Sequence, residues 1–296
     1  MRKVENNFFC IAGHTVSIRF SPSDANDIGL LPSFAPFRIE EQAAGHLLLT
    51  LDIDDTLRPA SEKTFIRKFD TGNGDTLVWK LPDGGYQYVI RDIHDRDCCL
   101  LLTNADFSHG RCALNGDAIM RSFGLNDALM LIFAFAGSFH QTLLIHASCV
   151  LYKGKAYPFT AQSGTGKSTH VALWLQHIQG AELLNDDNPI LRVIDGKPVC
   201  YGSPWSGKTP CYRNRHASLG AVTLIERAPQ NSIERQSPLQ AFASLLPSCS
   251  SMKWDGTVYK NICDTITRII ETTPVYTLHC LPDAEAAHLC QSTIAR

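Results

Sequence analysis

A chain of 296 residues with 44% hydrophobic and 19% charged residues has enough apolar content for one large core or two of ordinary size, and lies outside the range of disordered chains. Lys and Arg number 27 against 29 Asp and Glu, a formal net charge of −2, so no strongly basic field favours nucleic acid or an anionic membrane as a partner. The 11 cysteines are scattered, with an adjacent pair at Cys98 and Cys99 but no C-x-x-C spacing for zinc or redox chemistry. The N-terminal stretch has positive charge without an apolar core and small-residue cleavage site, so the thiols read as reduced side chains of a cytoplasmic protein.

Residues 13–106 read as a run of short strands. GHTVSIRF, HLLLTLDID, TFIRKFD, TLVWKLP, YQYVIRDI and CCLLLTNAD are rich in β-branched and aromatic residues and are separated by turn residues. The Asp83-Gly84-Gly85 turn inside LPDGGYQYV is a strong hairpin signal. An antiparallel, β-rich region over 1–121 is expected. The most apolar segment, Ala128 to Phe139, is shorter than the roughly 17–25 apolar residues that cross a bilayer, and His140 and Gln141 end it. It predicts a buried helix over about 122–140, capped by Asn126 or Asp127, which opens a second domain over 122–296.

From Thr142 the pattern changes. TLLIHASCVLY and KAYPFTAQ read as two apolar strands joined across Lys153-Gly154, so the strand entering the glycine-rich stretch is one arm of a hairpin. Rossmann-like and Ras-like folds open a parallel unit there instead, and a mixed sheet is the consequence. KSTHVALWLQHIQG carries apolar residues at 171, 174, 175 and 178, a helical spacing, with Gly180 placed to stop the helix. AELLNDD is a strand ending in two acids, PILRVIDGKPVCYG a hairpin turning at Asp195-Gly196, and GAVTLIER a further strand. PLQAFASLL, VYKNICDTITRII and DAEAAHLCQSTIA read as helices, with the strand VYTLHCLP between the last two.

The segment AQSGTGKST, residues 161–169, approaches the phosphate-loop pattern G-x-x-x-x-G-K-[ST], with Ala161 in place of the first glycine and an extra glycine at 164. Glycines let backbone N–H groups approach phosphate oxygens with no Cβ in the way, and the helix that follows offers its unpaired N–H groups to the same anion. Ser163, Gly164, Thr165, Gly166, Lys167, Ser168 and Thr169 are therefore the candidate nucleotide contacts. Lys167 would reach the β- and γ-phosphates, and the Ser168 hydroxyl would ligate Mg²⁺.

Asp186 and Asp187 end the next strand, where metal-bound phosphate needs a carboxylate and transfer to a hydroxyl needs a base. Adjacent residues of an extended strand face opposite ways, so both serve only if the chain is already turning. The alternative is a loop-opening acid pair beside Asn188-Pro189. His146, within an apolar strand, is either a hydrogen-bonded core histidine or a group that orients an acid or senses the γ-phosphate. Tyr201 to Arg215 combines glycines, prolines and Trp205 with three cations, Lys208, Arg213 and Arg215, which suits a shaped loop that offsets transition-state charge.

Together IHASCVLYKGKAYPFTAQSGTGKST, LLNDD and YGSPWSGK resemble the HPr kinase/phosphorylase-like family, whose core is related to phosphoenolpyruvate carboxykinase. The resemblance covers roughly residues 140–235. It implies an α/β fold, with a mixed-sheet carboxykinase-like P-loop kinase domain after the β-rich region. It also implies that the loop holds ATP, that Ser168 and Asp186 hold Mg²⁺, that Asp186 is the catalytic base or a metal neighbour, and that Asp187 pairs with His146. Lys208 joins these as a catalytic candidate. The expected activity is transfer of the γ-phosphoryl group of ATP to a hydroxyl, on a protein or peptide serine or on a small molecule. A catalytically silent ATP-binding regulatory module is the alternative. The acceptor, the choice among ATP, GTP and pyrophosphate, and assembly into a homo-oligomer stay open.

Overall fold

A computed structural model of the protein describes residues 4–41, 45, 47–70, 72–162 and 164–295. The chain forms two compact units, Met1–Gly137 and Ser138–Arg296. Each holds one large mixed sheet, and helices are few.

The first unit contains β1 (Glu5–Ile11), β2 (His14–Phe20), β3 (Arg38–Ile39), β4 (Leu47–Ile53), β5 (Thr64–Asp70), β6 (Asp75–Lys80), β7 (Tyr86–Arg91), β8 (Asp97–Thr103), β9 (His109–Leu114) and the helix α1 (Ala118–Ser138). The strands form one sheet in the order β3-β1-β2-β4-β9-β8-β7-β6-β5. The expected antiparallel region is mixed: β2 with β4 and β4 with β9 run parallel. The reason lies in the connections. A parallel pair needs a long crossover, and the β5–β8 meander supplies it between β4 and β9.

Helix α1 starts earlier than its apolar run suggests. Asp117 caps it, its Oδ1 accepting from the backbone N–H groups of Ile119 (3.0 Å) and Met120 (2.9 Å). Asn126 and Asp127 therefore lie inside the helix rather than at its cap. At 21 residues and a mean hydropathy of 1.4, α1 is long and apolar enough to cross a membrane by length and composition, and half of that stretch is buried within the fold. Phe133 and Phe135 pack their rings on His14 and Phe107. A Cβ on Gly124 would stand 2.9 Å from the Cys98 carbonyl, so glycine lets the helix lie directly on β8. These contacts tie α1 to the sheet of the first unit, which ends at Gly137.

The second unit contains β10 (Thr142–Leu144), β11 (Ala147–Tyr152), β12 (Lys155–Thr160), α2 (Lys167–His177), β13 (Glu182–Asp187), β14 (Ile190–Ile194), β15 (Lys197–Tyr201), β16 (His216–Leu219), β17 (Val222–Arg227), β18 (Ser232–Arg235), α3 (Pro238–Leu245), α4 (Gly256–Thr272), β19 (Val275–Cys280) and α5 (Ala284–Ile294). Its sheet runs β10-β14-β15-β16-β12-β17-β19-β18, with β11 paired to β12 and β13. The β11–β12 and β14–β15 hairpins turn at Lys153-Gly154 (φ 47° and 75°) and Asp195-Gly196 (φ 49° and 74°). Two successive positive φ values match the twist of the flanking strands. The expected single strand over 142–152 breaks at Ile145-His146, where Ile145 bridges to Cys249 and the His146 N–H donates to the Ser248 carbonyl at 2.7 Å. The core gathers Phe159, Val171, Trp174, Ile178 and Leu278 between sheet and helices.

Candidate functional site

The topology brings one end of five strands together. β12 and β17 run parallel, as do β17 and β19, so their carboxyl ends share one edge. β11 is antiparallel to β12, and β13 to β11. The start of β11 and the end of β13 therefore reach that same edge, with Ala147 opposite Asp187 and Ser148 opposite Asp186. In α/β sheets the crevice outside the carboxyl ends of parallel strands is where ligands bind.

The glycine-rich loop leaves β12 at this edge. Gly164 (φ 76°) and Gly166 (φ 125°) take conformations that side chains oppose, and the Thr165 N–H donates to the Gln162 carbonyl at 3.1 Å. Gly166 caps α2 with no side-chain hydrogen bond, so the first N–H groups of the helix are left to a ligand. Ser163 lies outside the described residues. Ser168 and Thr169 are exposed in the first turn, whereas Lys167 is buried. Burial lowers the Lys167 pKa, against the opposing pull of Asp187 and Asp186.

The two acids occupy different environments. Asp186 is buried, and its Oδ1 accepts from the hydroxyls of Ser148 (2.6 Å) and Ser168 (3.1 Å), while Oδ2 accepts from the Thr209 N–H (3.3 Å). Its carbonyl accepts from Gly207 N–H (2.5 Å) and Ser206 Oγ (3.0 Å). Asp187 has φ 111°, the turn that frees consecutive side chains from the alternation of a strand. Its Oδ1 lies 3.0 Å from His146 Nε2, the two side chains being 38% and 46% exposed, and Oδ2 accepts from Asn188 Nδ2 at 2.8 Å. Burial alone would raise this carboxyl; the bond and charge of His146, with Lys167 and Asn188, outweigh it and hold the pKa below its usual value.

Several members of the site are not legible in the sequence. Asn185, fully buried, donates through Nδ2 to Ser203 Oγ (3.2 Å) and the Trp205 carbonyl (2.9 Å), and accepts from Asn188 N–H (2.8 Å). It thereby holds the 203–211 loop against the acids. Arg227, at the end of β17, donates to the carbonyls of Thr165 (3.0 Å) and Gly164 (2.6 Å). The parallel pairing of β17 with β12 puts it there.

The expected cations behave differently from one another. Lys208 is exposed and adjoins Gly207, whose absent side chain leaves room for Asp187. Arg213 and Arg215 pair with Glu182 at 3.4 Å and 2.6 Å. Glu182 opens β13, about 13–16 Å from the two acids at some 3.3 Å per residue, so in this structure both guanidinium groups are engaged away from them. Two clefts flank Arg227. One, of about 590 Å³, is lined by His146, Gln162, Arg227, Ser244 and Ser248 among others. The second, of about 450 Å³, is lined by Gly166, Thr169, Leu173, Ile225 and Leu281 among others.

No protein-family model matches the chain, and no curated protein matches it. Among solved structures it is similar to the HPr(Ser) kinase/phosphatase from Coxiella burnetii, at 11% identity and a TM-score of 0.30, over 51% of this chain and 93% of that one. At that identity and score the likeness assigns neither fold family nor activity.

Proposed function

We propose that the protein is an ATP-dependent phosphotransferase that moves the γ-phosphoryl group to a hydroxyl, in a P-loop domain of the carboxykinase-like kind. The observation that supports this best is the convergence on one sheet edge of a buried Lys167, the Ser168–Asp186 pair at 3.1 Å and the Asp187–His146 pair at 3.0 Å. The glycine loop and the uncapped first turn of α2 supply N–H groups to the phosphates, and Lys167 supplies the charge.

Ser168 Oγ and the Asp186 carboxylate are two hard oxygen donors, which suits Mg²⁺, an ion that takes few protein ligands and keeps its waters. When bound there, Mg²⁺ would neutralise charge on the phosphates. Asp186 is held on both oxygens and buried, a metal neighbour more than a proton acceptor. Asp187 and His146 are accessible and adjoin the larger cleft, so this pair takes the proton of the attacking hydroxyl. The acceptor is a serine of a protein or peptide, or a small-molecule alcohol.

The test is a titration with Mg·ATP that follows bound nucleotide and ADP release, with and without hydroxyl acceptors. Wild type is expected to bind and to release ADP faster once an acceptor is added. Lys167→Ala should weaken binding about a hundredfold, since it removes a buried charge from the phosphates. Binding with no turnover under any acceptor would make the chain a regulatory ATP-binding module. No binding at all would reduce the loop to a strand-to-helix turn.

Arg227→Ala is expected to weaken Mg·ATP binding about tenfold and to lower the thermal midpoint by no more than a few degrees. Two bonds hold the loop carbonyls, and at an exposed position the pair together contributes on the order of the 1.4 kcal/mol that a tenfold change represents. Unchanged affinity would show that the loop holds its shape without the guanidinium.

A further inference from the structure

The first unit carries a cleft of about 430 Å³ between α1 and the 92–96 turn, with Ile119, Met120, Phe123, Asn126 and Asp127 on the helix side. Residues 120, 123 and 127 fall on one helical face. The facing turn satisfies its own charges: the Asp92 carboxylate accepts from the N–H groups of His94 and Arg96 (2.9 and 3.1 Å) and pairs with the Arg96 guanidinium at 2.6 Å.

Asp127 is different. Among the described residues it has neither hydrogen bond nor ion pair, although it is only partly exposed and sits in the tenth position of a helix that lies on β8. The surrounding protein is dense enough that burial lifts its carboxyl from 3.8 to about 7. The other titratable groups around it are Asp92, His94 and Arg96 on the turn, with Cys98 and Cys99 on β8. Burial holds the Cys98 thiol up; the bond to Cys112, then burial, does the same for Cys99, so both stay neutral. With Asp92 and Arg96 cancelling, Asp127 is the acid of the cleft without a partner among the described residues, and it carries an unbalanced negative charge above about pH 7. Its rim carries two bare apolar side chains, Ile93 and Ile119, 71% and 80% exposed, beside the exposed Asn73, His94 and Arg96.

We propose that this cleft binds an alkylammonium group, the amine paired with the Asp127 carboxylate and its aliphatic stem lying along Ile93, Ile119, Met120 and Phe123. A desolvated carboxylate without a partner is costly, and a cation brought on an apolar chain satisfies it while covering the exposed isoleucines. A metal ion would leave those side chains bare, and a guanidinium would want two acceptors in one plane. The amine comes either from a free alkylamine or from a lysine side chain. This site is independent of the nucleotide reading, since all its residues belong to the first unit.

The experiment titrates the full chain, labelled for amide resonances, at pH 8 with n-butylammonium, with Nα-acetyl-lysine N-methylamide and with n-butanol. At least one amine should shift the amides of residues 93, 119 and 126 saturably, and n-butanol should not. Asp127→Asn should weaken that binding at least tenfold. Ile93→Lys, which adds a cation at an exposed rim and leaves the core alone, should do the same if Asp127→Asn does not fold. Binding of n-butylammonium points to a small amine, and binding of the lysine derivative alone to a protein partner; either upholds the site. Saturation by neither amine, equal binding of n-butanol, or unchanged affinity in the two variants would overturn it.

Discussion

Asp186→Asn is expected to bind Mg·ATP within about tenfold of wild type and to lose about two to three orders of magnitude in acceptor-dependent turnover. The side chain is buried, and its contacts are matched by the amide on one side. An Asn oxygen can accept from Ser148 and Ser168 as Oδ1 does now, and the carbonyl bonds from Gly207 and Ser206 do not involve the side chain. The Thr209 N–H loses its acceptor on the other side, a cost of about 1–3 kcal/mol, so the fold should survive with a lowered midpoint. What disappears is a negative charge beside the proposed metal position that also pulls on the Lys167 amine. Removing one preorganised electrostatic partner typically costs about 2.7–4 kcal/mol in the transition state, a factor of roughly 10²–10³. Single-turnover ADP release measured beside the thermal midpoint separates the two effects. Unchanged turnover with an intact fold would remove Asp186 from the chemistry and leave Asp187 to account for it.

Much of the second unit is legible because its signals are local. Lys153-Gly154 and Asp195-Gly196 announce their turns as dipeptides, and the spacing of Val171, Trp174 and Ile178 announces α2 and its buried face; Leu175, on the same pattern, stays exposed. The glycine loop reads directly for the same reason. Features that depend on distant partners do not. Nothing in TLLIHASCVLY marks the break at Ile145-His146, because the segment that enforces it, Ser248 and Cys249, lies about a hundred residues on. Asn185 looks like an ordinary strand residue until the 203–211 loop folds onto it. Arg227 becomes a loop clamp only through the register of β17 on β12. In the first unit the apolar run hid the true cap. Asp117 sits eleven positions before Ala128, and in the intervening turns of α1 apolar residues (Ile119, Met120, Phe123, Leu125) lie all round the helix, so no amphipathic stripe marks its start.

Trp174→Ala is expected to destabilise the second unit by about 3–5 kcal/mol, the usual range for emptying an aromatic site in a core. Trp174 is fully buried and packs on Tyr152, Tyr157 and Phe159 at ring-centroid distances of 6.0, 5.9 and 5.5 Å. Its Nε1–H donates to His170 Nε2 at 3.1 Å. Burial lowers the His170 pKa to about 4, so the ring is neutral near pH 7 and able to accept that bond. Truncation removes the ring contacts and leaves a buried acceptor unpaired, two costs that Trp174→Phe separates. Phe keeps most of the packing and drops the donor, so it should cost about 1–3 kcal/mol. Denaturant unfolding followed by circular dichroism measures both. The order Ala above Phe is the informative part. Equal losses would mean that the hydrogen bond, not the aromatic cluster, docks α2. A loss under about 1 kcal/mol from Ala would mean that the helix carrying Lys167 and Ser168 is anchored elsewhere, and that the glycine-rich loop does not depend on this core for its position.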